Sequence, residues 1–125
     1  MGTKEKALKL PLYDRGFTQE EIDFGFEQFL TGINKKVTEH RAAKFPTLPA
    51  EHITAAPGRV YWKLVKERIG GGGQKFVYAF VRKADGAILK AAGWSAPALN
   101  HARGFVTDSD YGLSNAGPYG VRYLR

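Results

Sequence analysis

Aromatic and cationic side chains alternate along two segments that the sequence predicts to be the strands of a β-hairpin. The segments RVYWKLVKERI and QKFVYAFVRK are rich in β-branched and aromatic residues, and the four glycines Gly70–Gly73 separate them. Pairing of Ile69 with Gln74 across the glycines fixes which residues share a face. One face then presents aromatic rings, on which bases can stack, among cations that can contact phosphates. This face carries Tyr61, Lys63 and Val65 opposite Arg82, Phe80 and Tyr78, with Phe76 further out.

Two alternatives to an exposed stacking face remain open. In the first, the face is buried, for example under the N-terminal helix, and its long cationic side chains reach the rim. In the second, the register slips by one residue, which exchanges the two faces because side chains alternate along a strand. The exposure of Tyr61, Tyr78 and Phe80 decides among these interpretations.

The hairpin tip is a separate candidate, because Lys66, Arg68 and Lys75 flank the four glycines. A flexible tip on a basic arm is suited to entering a nucleic-acid groove or contacting a neighbouring subunit, and glycine amides can approach a phosphate. No GK[ST] follows the glycines, and a strand rather than a helix comes next. These two facts exclude a P-loop and a dinucleotide-binding GxGxxG motif. The alternative is a flexible loop without a ligand.

The sequence contains no residue pattern typical of an enzyme or a metal site. His40, His52 and His101 lie in unlike segments without paired ligand spacing, and no GxSxG motif is present. The chain has no cysteine, which excludes a disulfide, a thiolate nucleophile and a cysteine-ligated metal. Asp108 and Asp110 are two residues apart in a predicted loop; this spacing is compatible with a metal site, but we favour the alternative that they form turns. We therefore expect no catalytic residue, no metal and no cofactor.

The positive charge is concentrated in the second part of the chain. The formal net charge is +7; residues 1–50 contribute +1 (8 Lys and Arg, 7 Asp and Glu), and residues 51–125 contribute +6 (11 Lys and Arg, 5 Asp and Glu). Such a field favours a polyanionic partner, because phosphate contacts release condensed counterions. The alternative is that the charge serves only to keep the protein in solution.

The elements that position these residues are predicted from local signals. Thr18 and Glu21 form a capping box at the start of a helix, and apolar residues recur at helical spacing as far as Val37. The prediction is a single α+β domain, with the N-terminal helix packed on an antiparallel β-meander of three or more strands. Its parts are a helical region (1–44), a connector containing three prolines (45–58), the β-meander (59–93), and a region with a short second helix and a long irregular Gly/Tyr-rich segment (94–125).

The second helix is expected over Ala96–Arg103, capped by Ser95 and ended by Gly104, and Val121–Leu124 is a candidate edge strand. No apolar run approaches the roughly 18 residues that a membrane span needs. The first residues, MGTKEKALKLPLYD, lack the continuous apolar stretch of a secretory signal. We therefore expect no membrane association and a cytoplasmic setting.

Several short motifs in the second half of the chain carry a resemblance. They are Val77–Val81 (VYAFV), Ala87–Lys90 (AILK), Gly93–Ala98 (GWSAPA), His101–Gly104 (HARG), Gly117–Gly120 (GPYG) and Tyr123–Arg125 (YLR). With its Trp-x-Ala-Pro, His-Ala-Arg-Gly and Gly-Pro-Tyr-Gly motifs, this half resembles a group of small, uncharacterised tailed-bacteriophage proteins. The resemblance implies a phage setting, in the cytoplasm of the bacterial host or in the virion, and it implies no catalytic residue.

The leading hypothesis is a phage-encoded nucleic-acid-binding protein that uses a basic, aromatic sheet face and a glycine-tipped hairpin. The alternative is a non-enzymatic phage structural or host-interaction protein, which binds other protein subunits or further copies of itself. The residues expected to contact nucleic acid are Tyr61, Lys63, Lys66, Arg68, Lys75, Tyr78, Phe80, Arg82, Trp94 and Arg103.

Overall fold

A computed structural model describes residues 10–122 of the chain. It confirms an α+β fold, with one long helix packed on a four-stranded antiparallel sheet in the order β1-β2-β3-β4. The elements are α1 (Gln19–Lys44), β1 (Glu51–Pro57), β2 (Tyr61–Arg68), β3 (Phe76–Arg82), β4 (Ile88–Leu89) and a 3-10 turn (Leu113–Asn115). Some of the predictions fall outside the described residues. They concern Tyr123 and Leu124 of the candidate edge strand, the motif Tyr123–Arg125, and residues 1–9 of the segment MGTKEKALKLPLYD, in which no secretory signal is expected.

The helix α1 begins where the capping box predicts. The Thr18 hydroxyl accepts a hydrogen bond from the Glu21 amide at 3.1 Å, and the Glu21 carboxylate accepts one from the Thr18 amide at 2.9 Å. These two bonds satisfy amide donors that the helix itself leaves unpaired. The helix then buries one apolar face against the sheet, as the spacing predicts. The residues of that face are Ile22, Phe26, Phe29, Ile33 and Val37.

The predicted hairpin register is confirmed over its first half and interrupted by a bulge in its second half. Tyr61 lies opposite Arg82 and Leu64 opposite Ala79, as expected, but Val65 lies opposite Val77. The extra residue on β3 is Tyr78. A bulge of this kind reverses the alternation of side chains beyond it.

The segment predicted as a connector over residues 45–58 contains the edge strand β1, so that prediction is wrong. Proline suggested a loop there, yet an edge strand tolerates Pro57 at its end. The side-chain amide of Asn34 on α1 fixes the strand. Its oxygen accepts from the Ile53 amide at 2.7 Å, and its nitrogen donates to the Ile53 carbonyl at 2.9 Å.

The short helix expected over Ala96–Arg103 does not form either. The Arg103 amide donates to the carbonyl of Ile88, and the Ile88 amide donates to the carbonyl of Gly104. Residues 103 and 104 therefore form hydrogen bonds with β4 instead of continuing a helical turn. This tertiary pairing overrides a modest helical preference.

Both faces of the sheet are covered, by different parts of the chain. The helix α1 covers the face that carries Leu64 and Val81. The opposite face, which we call the outer face, carries Tyr61, Lys63, Val65, Phe80 and Leu89. Part of it is covered by residues 10–13 and by side chains from residues 91–105. The alternative of a buried second face is therefore correct in part, although the cover is not the helix.

Two helical glycines let the C-terminal segment approach α1 closely. A Cβ atom added to Gly25 would collide with the backbone carbonyl of Val106, whereas one added to Gly32 would meet only the methyl groups of Leu113.

We expect Gly25→Ala to lower the free energy of unfolding by about 1–3 kcal/mol, because a backbone carbonyl cannot move aside, although alanine is the better helix former by about 1 kcal/mol. Gly32→Ala is the matched control and has a smaller effect, because the side chain of Leu113 can rotate. Urea unfolding of both variants measures the difference. Equal stabilities would contradict the close approach of Val106 to α1.

Candidate nucleic-acid interface

Four of the ten residues expected to contact nucleic acid are buried, so the expectation that they reach a ligand at the surface is wrong. The four are Tyr78, Phe80, Arg82 and Arg103. Each has a structural role that the sequence did not reveal.

Tyr78 lies on the helix side of the sheet because of the bulge. Its hydroxyl donates to the carbonyl of Gly117 at 2.6 Å, and burial raises the pKa of this phenol above its ordinary value. Phe80 remains on the outer face, where it contacts the half-buried ring of Tyr61 edge-on at 6.0 Å between centroids. Neither Tyr78 nor Phe80 presents a ring on which a base can stack.

Arg82 is buried in an ion pair with Asp85 at 2.8 Å, and its side chain is only 4% exposed. The guanidinium also donates to the carbonyls of Leu10 at 2.7 Å and Pro11 at 2.9 Å. Burial opposes ionisation of Asp85. Hydrogen bonds from Arg82 and from the amides of Tyr13 and Ala87 outweigh it and hold the pKa of the carboxyl below its ordinary value.

Arg103 is likewise used within the fold. Its guanidinium donates to the side chain of Asn100 at 2.6 Å and to the carbonyls of His101 at 2.8 Å and Arg122 at 3.1 Å. Burial lowers the pKa of this group, although the guanidinium remains charged. Arg103 therefore organises the C-terminal segment and does not face solvent.

The exposed aromatic side chain of Trp94 lies beside Lys63. Trp94 is 52% exposed, and the Lys63 ammonium lies 3.6 Å from the centroid of its indole ring. Lys63 comes from β2, whereas Trp94 comes from the turn closed by the bridge between Ala91 and Pro97. The pair joins a surface for stacking to a cation within one contact.

The hairpin tip has a defined backbone conformation. The four glycines Gly70–Gly73 all have positive φ angles, of 90°, 87°, 78° and 74°, which L-residues rarely adopt. Arg68 and Lys75 flank them and are exposed, and Lys75 lies 3.7 Å from Glu67.

Lys66 lies on the helix side of the hairpin and is half-buried. Its ammonium donates to the carbonyl of Pro118 at 3.2 Å and lies 5.2 Å from the ring centroid of Tyr119. Burial lowers the pKa of this lysine, against the attraction of Glu51. Of the predicted cations, Lys63, Arg68 and Lys75 thus remain best placed to meet a ligand.

A family model matches residues 25–116, and the description of that family is a family of unknown function (DUF7717). The chain belongs to this family. No curated protein and no solved structure matches the chain. The part of the chain that matches DUF7717 runs from within α1 to just past the 3-10 turn and contains Lys63, the hairpin tip and Trp94.

One aromatic cluster was not predicted as part of a site. Tyr119 lies just beyond the DUF7717 match, and its ring contacts His40 edge-on at 5.0 Å between centroids. Its hydroxyl lies 3.3 Å from His40 Nε2. The Gly-Pro-Tyr-Gly motif marked this position in the sequence, but nothing local placed it beside the end of α1.

Within residues 10–122, no group of three or more His, Asp or Glu side chains is arranged to hold a metal ion. No helix among the same residues is long and apolar enough to cross a membrane.

We expect Asp85→Asn to lower the free energy of unfolding by about 3–5 kcal/mol near pH 7, because the buried Arg82 guanidinium loses its counter-charge. The pKa of Asp85 is lower in the folded protein than its ordinary value of 3.8. The carboxylate's contribution is therefore present above that value and is lost as the pH falls through the folded pKa. Denaturant unfolding near pH 7 and at pH values below 3.8 measures both effects.

The exposed Asp14→Asn is the matched control for this experiment and leaves the stability nearly unchanged. A difference between wild type and Asp85→Asn that did not shrink in acid would show that ionisation of Asp85 is not what stabilises the fold.

Proposed function

We propose that this protein binds nucleic acid, with an unpaired base stacked on Trp94 and phosphates held by Lys63 and the cations of the hairpin. The contact of Lys63 with the exposed indole at 3.6 Å is the observation that carries the proposal. A stacking surface beside a cation suits a single strand, because every base offers an aromatic face whatever its identity.

The surrounding charge supports this assignment. Residues 59–85 contain seven Lys and Arg and two acidic residues, Glu67 and Asp85, a formal charge of +5 out of +7 for the whole chain. Lys75 lies against Glu67, and alternation along β2 puts Glu67 on the same face as Lys63. A strand that follows this face from Trp94 therefore passes Lys63 and, beside the glycine tip, Lys75.

The biological setting belongs to the same proposal. The resemblance of residues 60–125 to small tailed-phage proteins supports a role on a phage genome or its replication intermediates, in the host cytoplasm or the virion. In this role the protein acts as a binding protein and not as an enzyme.

The experiment that tests the proposal is titration of a fluorescent single-stranded oligonucleotide at about 50 mM salt, where phosphate-driven affinity is strongest. We expect binding that weakens as salt is raised. Trp94→Ala removes a stacking contact typically worth about 1–3 kcal/mol per base, an affinity loss of about 5- to 150-fold.

Phe24→Ala is the matched control, since it removes an aromatic side chain of similar exposure (58%) from α1. We expect this variant to bind as the wild type does. Absence of binding by the wild type at low salt contradicts the proposal, and so does an equal loss in the two variants.

A further inference from the structure

A cleft of about 450 Å³ opens beside the first turn of α1. Phe17 and Phe24 form exposed walls, and the ring of Phe24 contacts Tyr111 edge-on at 6.1 Å between centroids. Glu20 and Glu21 also line the cleft, and the Glu21 carboxylate is bound to the Thr18 amide. Its lining is therefore both aromatic and acidic.

The inner wall of this cleft has two unusual features. Among the described residues, Thr107 Oγ1 is the buried side-chain polar atom without a hydrogen-bond partner, and Thr107 lines the cleft. Tyr111, which also lines the cleft, is the non-glycine residue of the described chain with a positive φ, of 57°. Unpaired polar groups and strained residues are uncommon, and they are often found where a ligand binds.

The charge around the cleft is opposite to that of the rest of the molecule. Residues 14–30 contain five Asp and Glu and one Arg, a formal charge of −4 in a chain of +7. A cation with an apolar stem matches this combination of aromatic walls and carboxylates. Among natural ligands, an arginine or lysine side chain has that chemistry.

The hairpin tip offers such a side chain at the other end of the molecule. Arg68 is exposed, the neighbouring Ile69 is 53% exposed, and the four glycines after them present no side chains that would obstruct docking. Residues 66–75, which form the tip and its flanks, contain three Lys and Arg and one Glu, and their formal charge of +2 is opposite in sign to the −4 around the cleft.

A single copy cannot bring its own tip to its own cleft. The start of α1 is bound to the far end of β3, where Gln19 donates to the carbonyl of Lys83 at 3.0 Å. The end of α1 lies beside the tip, since Arg41 pairs with Glu51 at 3.3 Å and Glu51 lies opposite Arg68. The 26 residues of α1 between them span about 39 Å.

We propose that copies of this chain associate head to tail, with Arg68 and Ile69 of one copy seated in the cleft formed by Phe17, Phe24 and Glu20 of the next. Each copy has one tip and one cleft, so the contact is heterologous and extends into a linear chain of copies. This association does not use Trp94, although it shares Arg68 with the surface proposed for nucleic acid.

Sedimentation velocity of the full chain at concentrations up to about 200 µM, without nucleic acid, tests the proposal. We expect species larger than a dimer at about 50 mM salt and mostly monomer at about 500 mM, because salt screens the paired charges. A monomer throughout the concentration range at low salt overturns the proposal.

Two single substitutions identify the surfaces. Phe24→Ala damages the cleft and leaves the tip intact, whereas Arg68→Gln damages the tip and leaves the cleft intact. Each is expected to weaken self-association by about tenfold or more, as for a central interface residue. Lys35→Gln removes one exposed charge from the middle of α1 and is the matched control, which associates as the wild type does.

A mixture of the two damaged variants is the sharpest test. The intact tip of Phe24→Ala fits the intact cleft of Arg68→Gln, so the mixture forms heterodimers that cannot extend. Both substituted side chains are exposed, and circular dichroism checks that both variants are folded. Glu20→Lys is a second variant of the cleft, and it is expected to weaken self-association as Phe24→Ala does, because it reverses a charge of the cleft. Wild-type assembly by both variants, or a mixture without heterodimers, overturns the assignment.

The outcome is distinguishable from that of the proposed function. Phe24→Ala weakens assembly here and serves as the unaffected control in the oligonucleotide titration, whereas Trp94→Ala weakens oligonucleotide binding and leaves assembly unchanged. If one of the two proposals fails, the other can therefore still be tested with its own variant.

Discussion

The buried ion pair between Arg82 and Asp85 holds residues 10–13 against the outer face of the sheet. Arg82 donates to the carbonyls of Leu10 and Pro11, and Asp85 accepts from the amide of Tyr13, so the pair fixes the chain that leads into α1. Removing water from two charges is costly, and the cost is offset only when nearly every donor and acceptor is satisfied. The carbonyls of residues 10 and 11 complete that arrangement and close part of the outer face of the sheet.

This closure determines which surface remains for a ligand. With Phe80 covered, an aromatic platform across the β2–β3 hairpin is not available. The ring that we propose for stacking is therefore Trp94, which comes from a separate turn. The sheet thus supplies Lys63, while the irregular C-terminal segment supplies the ring. The two ends of α1 also differ in charge. Acidic residues surround its first turn, and the basic hairpin lies beside its last turn.

Features with local causes could be predicted from the sequence. The capping box at Thr18 and the four glycines before Gln74 place α1 and the hairpin correctly, because capping and turn chemistry act over a few residues. The side on which Tyr78 lies could not be predicted, since a bulge reverses alternation without a clear sequence signal. The role of Arg82 could not be predicted either, because its carbonyl partners lie 71 and 72 residues away along the chain. Asn34 fixing β1 is a third long-range contact of this kind.

The most direct test of base stacking is the intrinsic fluorescence of Trp94 in a Trp62→Phe variant. Trp62 stacks on Phe26 at 3.9 Å between centroids, and phenylalanine retains a ring there, so Trp94 becomes the sole tryptophan of the folded variant. We predict that a single-stranded oligonucleotide quenches this fluorescence in a saturable, salt-sensitive manner. Fluorescence that is unchanged while the oligonucleotide binds would contradict the account, because the strand would then be held elsewhere on the protein.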